Sequence, residues 1–344
     1  MPATILTTHG CTNEAWAKEV MGEYLGHNPF YNFMSESSNA IIQVREELTK
    51  APGDAITIQL RARLTGAGVT GDTTLKGNEE NLTFYDQRVL IDTIRHAVIL
   101  RGEMSEQRVA FDLRNQAREA LVDWANNKLR AQLITALTDT TVGRDRSRYL
   151  YGAVDGNWNT THATALANVD ATNDKLTTAM ISVAKRKALL GNGRRVRPFE
   201  LKVNDKAVEE VYVLFAHPYA VRDLLNDAAF RDMNTYIPNT FGDSALVHGQ
   251  RYKGMWDGVM IFECEEMPIL ASAGAASINV AHNVLCGAQA AAIAWGKKTN
   301  YKEDSDDYGH ENGFAIDEIR GIAKLVFNNI DHGVVNVFTA AVAD

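Results

Sequence analysis

The sequence predicts an α+β fold in which long helices and dispersed strands do not alternate as βαβ units. Two observations carry this. An apolar stripe unbroken by proline or glycine marks a long helix over 106–138. Period-2 alternation marks strands, first at Ile56, Ile58 and Leu60 against Thr57, Gln59 and Arg61, and again near residue 320. The 344 residues are 45% hydrophobic and 23% charged, an ordinary globular balance that leaves enough chain for one large or two smaller cores.

Residues 1–54 are mixed. A helix is expected near 13–25, and Tyr24, Phe30, Tyr31, Phe33 and Met34 gather around Pro29. The segment reads as an arm that packs over other surfaces. Its start lacks a basic region and a long apolar run, so it does not read as a signal peptide.

Residues 55–104 read as two strands joined by a long glycine-rich tip. Gly66, Gly68 and Gly71 spell the dinucleotide fingerprint, and Gly66 and Gly71 also stand at P-loop spacing. A P-loop needs lysine after its second glycine, and Asp72 stands there instead. No helix opens after Gly71 to face a pyrophosphate. The competing function, a nucleotide- or substrate-binding enzyme using the 66–71 loop, therefore loses its main support. An isolated two-stranded ribbon is marginal in water, so this one is expected to pack on something else, a neighbouring subunit being the obvious candidate.

The helix over 106–138 takes Ser105 as N-cap and Glu106 at the positive end of its dipole. Leu113, Ala117, Leu121, Ala125, Leu129, Leu133 and Leu137 recur at steps of four. Such a stripe winds around the helix and suits several packing partners in turn. Residues 139–173 are loop-like, and a second helix is expected over 174–190, stopped by Gly191. Lys185, Arg186, Lys187, Arg194, Arg195 and Arg197 form a basic cluster there. Its plain reading is helix-end cations and a solvated loop; its sharper reading is an intersubunit or DNA-facing surface.

Val211-Tyr-Val-Leu-Phe215 reads as a buried strand, and Pro218 as a first helical residue. Gly254-Met-Trp-Asp-Gly258 is a turn into the strand Val259-Met-Ile-Phe262. Ile319, Gly321, Ala323, Leu325 and Phe327 alternate with Glu318, Arg320 and Lys324, and Gly333-Val-Val-Asn-Val-Phe338 is a last strand.

Chemistry finds little support. Gly242-Asp-Ser-Ala-Leu246 lacks the last glycine of a nucleophile elbow. The run from Glu303 to Gly309 fails as an EF-hand, with Tyr308 at the fifth position and Ala315 at the twelfth. Cys11, Cys264 and Cys286 make neither a disulfide framework nor a paired metal site, and no histidine pair has metal spacing. No catalytic, cofactor-binding or metal-binding residue is assigned. With 35 basic and 43 acidic side chains the net charge is −8, which argues against a dedicated nucleic-acid binder.

The stretch Arg63-Leu-Thr-Gly-Ala-Gly-Val-Thr-Gly-Asp-Thr-Thr-Leu-Lys-Gly-Asn-Glu-Glu-Asn-Leu-Thr-Phe-Tyr-Asp86 resembles the signature of major capsid proteins of phages related to phage N-four. Val213-Leu-Phe-Ala-His-Pro-Tyr219, Gly258-Val-Met-Ile-Phe-Glu263, Leu285-Cys-Gly-Ala-Gln-Ala290 and Asp331-His-Gly-Val-Val335 follow in the family's order. The resemblance implies the Hong Kong 97 type of phage capsid fold. That means an N-terminal arm (1–54), an extended β-hairpin loop (55–104) and a peripheral domain (105–204) with its spine helix. An axial domain (205–300) and a return to the peripheral and axial core (301–344) complete it.

The implied function is self-assembly into hexamers and pentamers of an icosahedral head around double-stranded DNA. Gly66, Gly68, Gly71, Asp72, Lys76 and Gly77 would make the hairpin-tip contact with the next subunit. Some members of the fold cross-link a loop lysine to an asparagine, but no second motif identifies a partner for Lys76. Residues 1–54 look too short and uncharged for a cleaved scaffolding segment, so scaffolding is expected from a separate protein, or none. The other implied partners are a portal protein, decoration proteins and packaged DNA in weak non-specific contact, with no membrane. The implied location is the virion, assembled in the host bacterial cytoplasm.

Overall fold

A computed structural model describes residues 28–49, 52–101, 112–203, 206–236, 251–306 and 310–344. The helix expected near 13–25, Cys11, Ser105 and Glu106, the 242–246 block and the end of the acidic run lie outside the described residues.

After the buried Phe30 and Phe33 come β1 (Met34–Ser35) and β2 (Ile42–Arg45), parallel to each other. Strands β3 (Ala55–Arg61) and β4 (Phe84–Leu90) form the expected hairpin, antiparallel from Ala55↔Leu90 to Arg61↔Phe84. In β3 the apolar residues turn inward and Thr57, Gln59 and Arg61 outward, as the period requires. The inner face does not wait for a neighbouring subunit. Val89, with Ile56, Ile58, Leu60 and Tyr85, packs on Ala292, Ala294, Leu325 and Phe327 of the same chain.

The hairpin pairing ends before residue 104. Strand β5 (Asp92–Arg101) leaves it for another sheet, where Val98 and Leu100 find an apolar surface of their own. Helix α1 (Leu113–Leu137) is capped by Asp112, whose carboxylate accepts from the amides of Arg114 (2.9 Å) and Asn115 (3.3 Å). Ala117, Leu121, Ala125, Leu133 and Leu137 are buried, so the steps-of-four stripe is the packed one.

Next come β6 (Tyr149–Tyr151), α2 (His162–Leu166) and α3 (Thr178–Leu190). Helix α3 starts later than the 174 expected. Asp174 is held in the preceding loop, where it accepts from the amides of Ala153 (2.6 Å) and Asp170 (2.8 Å). Strands β7 (Phe199–Val203) and β8 (Lys206–Ala216) precede α4 (Pro218–Leu225) and α5 (Ala228–Tyr236). Pro218 opens α4 as expected, and the His217 ring accepts from the Tyr219 amide at 3.2 Å.

Strands β9 (Tyr252–Trp256) and β10 (Val259–Glu263) meet at a two-residue turn, Asp257 and Gly258, both with positive φ. The chain then forms β11 (Ile269–Leu270), β12 (Val280–Cys286), β13 (Ala291–Asp306), β14 (Glu311–Lys324), β15 (Val326–Phe327), β16 (Ile330–Asp331) and β17 (Val334–Ala340). The acidic residues 303–306 extend β13 rather than forming a loop.

A mixed sheet runs β6-β17-β12-β8-β10-β9, with β11 on β12 and β7 on β8. Both of its faces are covered, which is why Val211–Phe215 reads as a continuous apolar run. Tyr212 and Leu214 point to the α3 and α4 side, against Met180, Ile181, Val221 and Leu224. Val211, Val213 and Phe215 point the other way, to Phe30, Phe33, Ile42 and Leu133. Phe33 meets Phe215 and Phe262 edge-on at 5.7 and 5.4 Å. Of the aromatic patch read near Pro29, Phe30 and Phe33 are core, Met34 packs against them half-buried and Tyr31 is exposed, while Tyr24 lies outside the described residues.

A second sheet has the order β1-β2-β13-β14-β5. Two compact units are built from interleaved segments. One takes in 94–128 and 299–318; its core joins Ala117, Leu121 and Ala125 to Phe314 and Ile316. The other takes in 28–93, 129–298 and 319–344 and holds the mixed sheet and the hairpin.

In β14 the alternation is present, and the buried positions that follow Phe314 and Ile316 include charges. Glu318, Arg320 and Lys324 are buried while Ile319 and Ala323 are half-buried. Each inward charge has a partner outside β14. Glu318 accepts from the Thr299 hydroxyl at 3.0 Å, Arg320 donates to Gln132 at 3.0 and 3.1 Å, and Lys324 meets Asp331.

Candidate functional site

The hairpin tip, residues 62–83, is irregular and exposed. Gly68, Gly71 and Gly77 have φ of +69°, +63° and +92°, a region open to glycine and costly to other residues. Nothing lies within 4 Å of a Cβ built at any of the three, so backbone conformation alone accounts for them. Gly66 has a different reason. A Cβ there would stand 2.7 Å from a carboxylate oxygen of Glu80.

That carboxylate closes the phosphate question. Glu80 accepts from the amides of Thr65 (2.8 Å) and Gly66 (2.6 Å) and from the Thr65 hydroxyl at 3.2 Å. The two backbone hydrogen bonds hold the Glu80 carboxyl below the usual range. Two of the amides at the start of the loop are thus already taken by an anion of the same chain. Sequence reading missed Glu80, although a signal was there. The β3–β4 register, continued past Arg61↔Phe84, brings residue 65 opposite residue 80.

The tip and the outer face of the hairpin carry Leu64, Leu75, Leu82, Phe84 and Leu90, each more than half exposed. Scattered single apolar residues need no explanation; five on one arm do. Asp72 and Lys76 also sit on this exposed tip.

The basic cluster divides. Lys185 pairs with Asp257 at 2.8 Å, Lys187 with Asp155, and Arg197 with Glu200 at 3.1 Å. Arg194 donates to the Phe327 carbonyl at 2.8 Å and lies over the Tyr85 ring, 4.7 Å from its centroid. Arg186 and Arg195 are exposed. Most of the cluster therefore holds this subunit together, and its loop end meets the hairpin. Between them lies a cleft of about 600 Å³, lined by residues 60–65, 80, 81, 83 and 85 of the hairpin, by 193–195 and by His332.

The other sequence candidates find structural employment. His332 contacts Gln289 at 3.3 Å, and Asp331 lies in a buried cluster with Lys324, Asn336 and His282. Cys264 and Cys286 are buried, and burial pushes the Cys264 thiol up to about 11. Glu303 pairs with Arg118 at 2.6 Å. Among the described residues no group of three or more His, Cys, Asp or Glu is placed to hold a metal.

The buried histidines give the subunit an acid limit. Burial pushes His162 and His332 down to about 4 and His282 to about 3. Between those values and about 6.5 the unfolded chain binds protons that the folded chain refuses, so stability falls as pH drops. Asp331 acts in the opposite sense. Burial lifts its carboxyl to about 7 despite Lys324, so the folded chain keeps a proton that the unfolded chain loses near 3.8. His217, also pushed down by burial, acts with the three, and four histidines against one carboxyl leave a net loss on acidification, of order 1–4 kcal/mol per pH unit between about 6 and 4.5. Urea midpoints of unassembled subunits should fall across that window; a rising midpoint would contradict the assignment.

Sequence comparison gives this arm and its body a family. The profile described as phage capsid protein matches residues 7–343. The chain belongs to the phage capsid protein family. This capsid protein is 27% identical over 352 residues to the major capsid protein of Pseudomonas phage KPP25, covering 90% of each chain. It matches the capsid asymmetric unit of cyanophage Pam1 with a TM-score of 0.85 and 27% identity over all of both chains. The capsid of Ralstonia phage GP4 matches with a TM-score of 0.79 and 25% identity, covering 100% of this chain and 99% of that one. The α+β phage capsid fold that the resemblance implied is therefore the fold of this major capsid protein, a structural component of a virion. No described helix is long and apolar enough to cross a membrane.

Proposed function

We propose that the subunit builds the hexamers and pentamers of an icosahedral head around double-stranded DNA, and that its hairpin arm is laid on a neighbouring subunit. The observation that carries the arm's role is the row Leu64, Leu75, Leu82, Phe84 and Leu90, left exposed once the inner face is satisfied by its own chain. Apolar surface of this kind gains by burial at roughly 25 cal/mol per Å². The glycine tip, with Asp72 and Lys76 upon it, supplies a backbone that can follow another surface closely.

In this reading α1 is the spine of a peripheral domain (105–204), and α4 with strands β8, β10 and β12 belongs to an axial domain (205–300). The mechanism is area and symmetry rather than catalysis, with several interfaces per subunit that together exceed the roughly 1,600 Å² of a standard one. A net charge of −8 and a largely self-paired basic cluster suit a shell that touches DNA weakly. Portal, scaffolding and decoration proteins, and assembly in the bacterial cytoplasm, complete the scheme.

Deleting residues 65–78 should leave a folded subunit by circular dichroism but abolish closed shells in electron micrographs. Shells of normal yield from the deletion would remove the tip from the mechanism. A parent protein that stays monomeric at every concentration would overturn the assembly reading itself.

A further inference from the structure

We propose that the cleft beneath the hairpin is a socket for the acidic strand end, residues 303–306, of a second copy of this chain; this rests on the assembly reading above. Four arginines line the cleft, Arg61, Arg63, Arg194 and Arg195. Its single carboxylate is Glu80, already committed to the amides of Thr65 and Gly66. Arg194 is held in place by Phe327 and Tyr85, while Arg61, Arg63 and Arg195 are exposed and no described carboxylate pairs with them. At about 600 Å³ the cleft is of the size that takes up a ligand or a short chain segment.

A basic socket on an acidic chain calls for an anionic occupant. The chain's densest acidic run is Glu303-Asp-Ser-Asp-Asp307. Residues 303–306 of it are already extended as the end of β13 and exposed, with Glu303 fixed by Arg118 at 2.6 Å, so little ordering cost attends their docking. Duplex DNA is the other large anion a head contains. The overall charge of −8 repels it, and the cleft's apolar walls, Leu60, Leu64 and Tyr85, suit a polypeptide better than a row of phosphates. Charge complementarity of this kind fixes register and excludes wrong docking as much as it adds affinity.

Charge exchange tests it. One variant carries Arg63→Glu and Arg195→Glu, another Asp304→Lys and Asp306→Lys, and a third all four; circular dichroism checks that each folds. Each two-site variant should raise the subunit concentration needed for shells or hexamers at least about tenfold, and the four-site variant should recover most of that loss. Mixing the two two-site variants should also restore hexamers, because an acidic socket on one copy then meets a basic strand end on another. A contact within one copy cannot be rescued by mixing, so failure of the mixture would overturn the second-copy assignment. Unchanged assembly of the socket variant would overturn the proposal. So would binding of a 30-base-pair duplex to the parent subunit that the socket variant loses. If the parent itself forms no assemblies, the broader reading has failed rather than this one.

Discussion

Replacing Lys324 by methionine should lower the unfolding free energy of the unassembled subunit by about 3–5 kcal/mol. The Lys324 side chain is 1% exposed and its partner Asp331 is fully buried. The ammonium donates to one carboxylate oxygen of Asp331 at 3.0 Å and lies 2.9 Å from the other. It also donates to the carbonyls of Asp139 and Val142. Asn336 donates to the same carboxylate at 2.9 Å and contacts His282 at 2.8 Å, while Arg148 donates to the Asp331 carbonyl at 2.9 Å. Methionine would keep most of the volume and remove the charge, stranding a carboxylate among apolar strands.

The loss should depend on pH with a definite sign. A lone buried carboxyl escapes the penalty by keeping its proton, so the deficit should be smaller at pH 5 than at pH 8. The double variant with Asp331→Asn should recover much of the loss, since removing both charges costs far less than removing one. Urea unfolding of the four members of this cycle measures all three statements. Equal deficits at both pH values would mean that Asp331 is not the stranded group.

The second large effect is expected at Gly321. A Cβ built there would stand 1.7 Å from the backbone carbonyl oxygen of Leu90 and 3.2 Å from the Cα of Ile91. These are main-chain atoms at the foot of the hairpin, where the Ile91 amide donates to the Asp54 carbonyl at 3.0 Å, so neither side can yield by a rotamer change. Gly321→Ala should cost about 3 kcal/mol or more and move the hairpin foot away from β14. Because the arm is proposed to seat on a neighbour, the variant should also lose shells at concentrations where the subunit is still folded. Hydrogen exchange would show faster exchange across β3 and β4, with β12 and β17 unchanged. An arm that stays protected would mean the strain is absorbed elsewhere.

Much of the fold was legible because it is locally encoded. The alternation of Ile56, Ile58 and Leu60, the steps-of-four stripe from Ala117 to Leu137 and the proline start at Pro218 each depend on residues a few positions apart. The failures lie where distant segments meet. Local pattern marked β14 as a strand but not which of its side chains the core would take. Glu318, Arg320 and Lys324 are buried there, because Thr299, Gln132 and Asp331 meet them. The basic cluster read as one surface feature, whereas tertiary contacts divide it into internal ion pairs and one wall of a cleft.

The sequence by itself determined the α+β class, the arm with its glycine tip, the absence of a cation where a phosphate would need one, and membership of a capsid family through motifs spread along the chain. Only the tertiary structure decided what those parts meet. It put Glu80 on the amides of Thr65 and Gly66, pressed Leu90 against Gly321, and set Arg61 and Arg63 across a cleft from Arg194 and Arg195. The reason is physical. Periodicity reports which face of an element is buried, but the partner of a buried charge and the surface beneath a glycine are chosen by other segments, as Gln132 is for Arg320 and Leu90 for Gly321.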